Sequence, residues 1–120
     1  SVMNKDWVQT TKDMSAALKQ LRGGAPAVMQ GFSSIAQAAL KANALDTKTK
    51  ELIALAIAVA TRCDGCIAFH AEAAVKQGAS REEVLETMGM AIYMGAGPSV
   101  MYAAQALEAF DQFQDSKTLA

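Results

Sequence analysis

An all-α fold is predicted, and two observations predict it. Ala, Leu, Met, Lys and Gln dominate every organised stretch, as helices prefer, and no run of alternating β-branched residues sits between hairpin turns. With 120 residues the chain forms one domain, residues 1–120, large enough to bury a core without disulfides or a structural metal.

About six helices are expected. The first covers Asp6 to Leu21 and ends at the Gly23-Gly24 pair, and the second runs from Pro26, suited to a first-turn position, to about Ala42. The third starts after Asp46, whose carboxylate can cap free amides. Its stretch "LIALAIAVA", Leu52 to Ala60, is apolar on every face and belongs at the centre of something. The fourth begins around the two cysteines and stops at Gly78. The fifth opens on a capping box, Ser80 with Glu83, ahead of Val84, Leu85 and Met88, and ends at Gly95 or Gly97. Pro98 then opens a sixth helix through about Phe113, leaving "QDSKTLA" as a polar, frayed tail. The apolar third helix and the Met- and Gly-rich stretch Met88 to Met101 offer more apolar surface than one small bundle hides, so self-association is expected.

Composition excludes several partner classes. The net charge is −1, with 19% charged and 52% hydrophobic residues, so neither nucleic acid nor an anionic membrane surface is attracted electrostatically. "GAGPS", Gly95 to Ser99, interrupts the one long uncharged stretch, which argues against a membrane span. The start of the chain lacks the basic, apolar and small-residue pattern of a secretory signal, so a cytoplasmic protein with mostly reduced thiols is expected.

Both cysteines and the single histidine fall within "RCDGCIAFH", Arg62 to His70. In a helix beginning near Asp64, Cys66 and His70 are spaced i,i+4 and share a face, with Cys63 at the N-terminal edge. Cysteines separated by two residues can close a disulfide. Free amides at a helix start, and a neighbouring Arg62, favour thiolate over thiol. His70 can take the thiol proton or relay one to a substrate. Taken singly, a cysteine reads as a small core hydrophobe and a histidine as a structural residue; together they favour a redox site. Zinc would find only three ligands unless Glu51 or water completed the sphere, so no metal or other cofactor is expected. A thioredoxin fold is excluded because its cysteine pair follows a strand in a βαβ unit.

Glu51, Cys63, Cys66 and His70 together spell E-x11-C-x2-C-x3-H. This resembles the signature of the AhpD-like alkylhydroperoxidases within the carboxymuconolactone decarboxylase family. The resemblance spans about residues 26–113, including "LDTKTKELIALA" before the cysteines and "GASREEVLE" after them. It implies a helical bundle that assembles as a homo-oligomer, trimer or hexamer. It also implies a peroxidase in which Cys66 attacks a hydroperoxide, Cys63 resolves the sulfenic acid to a disulfide, and Glu51 and His70 relay protons. A dithiol reductant, such as a lipoylated protein, would complete the cycle. Gly65 stands where the better-known peroxidase carries a second relay histidine, so any relay here is shorter. Glu51 lies about 18 Å along a straight helix axis from Cys63, so it reaches the site only if the helices cross obliquely. The alternatives are a thiol-disulfide exchange or redox-responsive protein without efficient turnover, and a cysteine-independent decarboxylase or lactone enzyme, which the wider family includes.

Overall fold

The computed structural model describes residues 5–119. Over these residues the chain is helical and contains no strand, which is the fold class expected: α1 Trp7–Gly24, α2 Pro26–Leu40, α3 Thr47–Ala60, α4 Asp64–Lys76 and α5 Arg81–Leu119. A break at Ala96, φ 54 and ψ −142, divides α5 into two arms, so the fifth and sixth helices of the sequence reading meet at a bend with no loop between them.

The capping signals act where they were read. Asp46 accepts from the Thr49 amide to open α3. At the start of α5, Ser80 Oγ accepts from the Glu83 amide at 3.1 Å while Glu83 Oε1 accepts from the Ser80 amide at 2.8 Å. This reciprocal pair satisfies two donors that a helix start would otherwise leave free.

The first helix ends at the Gly23-Gly24 pair, as expected, and Ala25 stops it because the residue before a proline is pushed out of the helical region; its φ and ψ are −135° and 60°. Two other helix ends differ from expectation. The second helix ends at Leu40, two residues early. The last helix does not fray after Phe113 but runs to Leu119. Phe110 and Phe113 are buried on its inner face, which gives the helix a packed base from which the polar tail propagates.

The core sits between α3, α4 and α5, with Leu55, Val59, Ile67, Val84 and Phe110 almost fully buried. Trp7 of α1 is wholly buried too. Its indole N–H donates to Glu108 Oε1 and its amide to Gln112 Oε1, so α1 is fastened to the second arm of α5. Arg81 grips Asp111 through both Nε and Nη2, linking the start of one arm of α5 to the other.

The apolar third helix is only half enclosed. Leu55, Ala58 and Val59 face the core, yet Ile53 and Ile57 are exposed, Ile57 by 56%. Helix α2 buries no residue at all. In the stretch from Met88 to Met101, Met88 enters the core, whereas Met90, Tyr93, Met94 and Met101 point outward. No helix among the described residues is long and apolar enough to cross a membrane.

Candidate functional site

The turn between α3 and α4 builds the site. At the end of α3 the Arg62 amide donates to Val59 O and the Cys63 amide to Ala58 O, the two bonds of a Schellman closure. This closure demands a left-handed residue, and Arg62 supplies it with φ 57°. Glycine is the usual occupant; a side chain there costs roughly 1–2 kcal/mol. Gly78, φ 77°, performs the same task at the end of α4.

Cys63 therefore ends one helix and begins the next. It is the N-cap of α4, where its sulfur accepts from the Cys66 amide at 3.2 Å. Cys63 and Cys66 are joined by a disulfide. The sulfurs thus lie where unpaired amides and the helix dipole favour negative charge, the environment that makes a cysteine reactive once reduced.

Glu51 and His70 form the second half of the site. Glu51, in the first turns of α3, is only 6% exposed, and its Oε1 lies 2.6 Å from His70 Nδ1 on α4. A buried carboxylate needs such a partner. An ionised Glu51 accepts from Nδ1–H, which leaves Nε2 as the nitrogen free to exchange a proton. The offset anticipated along the hairpin is thus bridged as far as His70, the residue through which Glu51 meets the site.

The two halves open on one groove of about 240 Å³ lined by Ala54, Ile57, Ala58, Thr61, Cys66 and His70. Cys66 and His70, one turn apart on α4, both contribute to its wall, as their spacing required. Apart from these two and Thr61 the lining is aliphatic. Among the described residues no group of three or more His, Cys, Asp or Glu side chains is arranged to hold a metal ion.

Some neighbours carried no sequence signal. Lys5 lies 59 positions before Asp64, yet its Nζ is 2.6 Å from the Asp64 carboxylate inside the cysteine motif. Ile57 and Thr61 wall the groove because they follow Ala54 at helical spacing on the exposed side of α3, which uniform apolarity concealed.

Comparison with known proteins finds relatives of the same fold. Residues 26–109 match the model of the carboxymuconolactone decarboxylase family. A Haemophilus influenzae protein of uncharacterised function is 44% identical over 108 residues, covering 90% of this chain and 96% of its own. Among solved structures, a carboxymuconolactone decarboxylase family protein from Legionella pneumophila superposes with a TM-score of 0.88 at 59% identity, over 90% of this chain and 96% of that one. Another from Thermotoga maritima, for which involvement in the antioxidative response has been suggested, gives 0.80 at 25% identity, over 90% and 92% of the respective chains.

Proposed function

The chain belongs to the carboxymuconolactone decarboxylase family, and from that premise we propose that it is a thiol-dependent oxidoreductase, a hydroperoxide reductase that cycles the Cys63–Cys66 pair between dithiol and disulfide. The observation that carries this reading is a disulfide at a helix start whose Cys66 shares a groove with His70, the imidazole being backed by the buried Glu51 carboxylate. The antioxidative role suggested for the Thermotoga relative points the same way.

The chemistry balances with the residues in place. The Cys66 thiolate attacks the outer oxygen of a hydroperoxide; the O–O bond breaks, sulfur is oxidised to sulfenic acid, and the departing alkoxide takes a proton from His70 to become an alcohol. Cys63 then attacks the Cys66 sulfur. The S–O bond breaks, water leaves with the Cys63 proton, and the disulfide closes. A dithiol reductant, a lipoyl group being one of suitable chemistry, returns both thiols while becoming a disulfide itself. Glu51 holds the imidazole in orientation and stabilises its charged form. The aliphatic wall of the groove suits an organic hydroperoxide.

This protein works as a homo-oligomer in the same reading, because α2 and the outer side of α3 present apolar residues that a second copy can cover.

The test is the fate of the reduced protein after one equivalent of organic hydroperoxide, read by mass spectrometry. Wild type loses two hydrogens, and Cys63→Ser retains one added oxygen on Cys66. If instead wild type is unmodified, or serine at both positions leaves catalytic activity intact, the cysteine-based reading fails and a cysteine-independent decarboxylase or lactone enzyme takes its place. Steady-state consumption of hydroperoxide with a dithiol separates an enzyme from a redox-responsive protein.

A further inference from the structure

A segment that precedes the family-matched region lies over the middle of the cysteine motif. Asp64 and Gly65 are the two residues between the cysteines. Lys5 Nζ is 2.6 Å from Asp64 Oδ2, and the Met14 methyl lies 3.6 Å from the point a Cβ on Gly65 would occupy. Both contacting residues come before residue 26, where the family match begins.

Lys5 is held there from several sides. Its carbonyl accepts from Gln112 Nε2 at 2.8 Å, and its ammonium lies 4.7 Å from the centroid of the buried Trp7 ring. Trp7 itself is bonded through amide and indole to α5. An ordinary surface ion pair gains little because two long side chains must be ordered to make it. Here the backbone of Lys5 is already ordered by the core.

The charge matters because of what Asp64 neighbours. Its carboxylate suits the helix N-terminus, but it also opposes a second negative charge on the adjacent cysteine sulfur. Arg62 directly precedes the pair in the turn, and His70 on α4 shares a groove with Cys66, with Glu51 of α3 bonded behind it. From α5, Glu108 is engaged by Trp7 Nε1. Lys5 is the cation that contacts Asp64.

We propose that Lys5 is a positioning residue for the cysteine pair: by clamping the Asp64 carboxylate it offsets the negative charge beside the sulfurs, so the strap ahead of α1 sets how readily the reduced motif forms a thiolate. This rests on the reading of the pair as redox-active. Lys5 touches no reacting atom and acts through Asp64.

The experiment is the pH dependence of iodoacetamide alkylation of the reduced full chain, followed by mass spectrometry, for wild type, Lys5→Gln, Asp64→Asn, the double variant and Lys5→Arg. Lys5→Gln should raise the thiol titration by about half a pH unit, roughly a threefold loss of rate below the midpoint. Asp64→Asn should lower it, the double variant should return close to wild type, and Lys5→Arg should match wild type. About 1 M NaCl should shrink the wild-type to Lys5→Gln difference. An unshifted Lys5→Gln titration overturns the proposal, as does a shift that Asp64→Asn does not compensate, since a strap acting only by packing would give that result. Wild-type thiols that fail to re-form the disulfide with peroxide would overturn the functional reading as well, an outcome distinct from unshifted thiols in a protein that does cycle.

Discussion

Glu51 Oε1 lies 2.6 Å from His70 Nδ1, joining residues 19 positions apart on two helices. Since the carboxylate is buried and its partner opens on the groove, the proposed proton relay requires the two to act as one unit. Glu51→Gln keeps the shape and removes the charge, and hydroperoxide turnover should fall about tenfold to a hundredfold. His70→Gln should cost at least as much, and the double variant no more than His70→Gln alone. Steady-state rates check this; losses that multiply in the double variant would separate the two residues functionally.

Arg62 is the strained point of the site, a left-handed residue with a side chain. Arg62→Gly should stabilise the oxidised fold by up to about 1 kcal/mol, the relief exceeding the entropy glycine adds to the unfolded chain. Arg62→Val should destabilise it by more than about 1 kcal/mol, because a β-branched residue tolerates positive φ worst. Urea unfolding measures both; equal midpoints for wild type and the two variants would show that the turn stores no such strain.

How much of this was legible depended on the range of the interaction. Cys66 and His70 share a face because of an i,i+4 spacing that anyone can count, and Ser80 and Glu83 cap α5 through a three-residue spacing of the same kind. The Glu51 pairing depended on how two helices lie against each other, and only the family signature singled it out. Lys5 with Asp64 and Trp7 with Glu108 are separated by 59 and 101 positions, and no periodicity marks such pairs. The break in α5 was legible as "GAGP" but not its form. Pro98 and two glycines permit a loop, whereas packing of both arms reduces the interruption to Ala96. Apolarity all round the third helix predicted burial, yet could not say that a single copy would leave Ile57 uncovered.

Acid should loosen the start of α5 and of α3. The Ser80 amide, then Lys48, hold the Glu83 carboxyl below its ordinary value, and the Thr49 side chain followed by its amide do the same for Asp46. A carboxyl depressed in the folded state contributes stability that is fully present above its unfolded value, 4.5 for Glu and 3.8 for Asp, and is lost as pH falls through the folded one. Thermal midpoints should therefore decline below about pH 4.5, and less steeply in the Glu83→Gln and Asp46→Asn double variant. Parallel curves for the two proteins would mean that other carboxylates carry the acid sensitivity.

Helix α2 should be held by another copy of the chain. It has 15 residues and buries none of them, and isolated helices of that length are marginal in water. Val28, Phe32 and Ile35 nevertheless stand at i, i+4 and i+7, one continuous face, with Phe32 63% exposed. A stripe so regular costs solubility unless something covers it. Phe32→Glu should place a charge in that contact, where burial without a partner is strongly unfavourable, and so drive dissociation. Light scattering on a sizing column should give a mass several times that of one chain for wild type and a single-chain mass for the variant. Circular dichroism should show a loss of helix corresponding to α2 and little else, because the α3–α4–α5 core does not lean on it. A wild-type protein that elutes as one chain with α2 intact would mean that the face is tolerated bare, and that helix propensity with the thin contacts to α1 and α3 suffices to hold it.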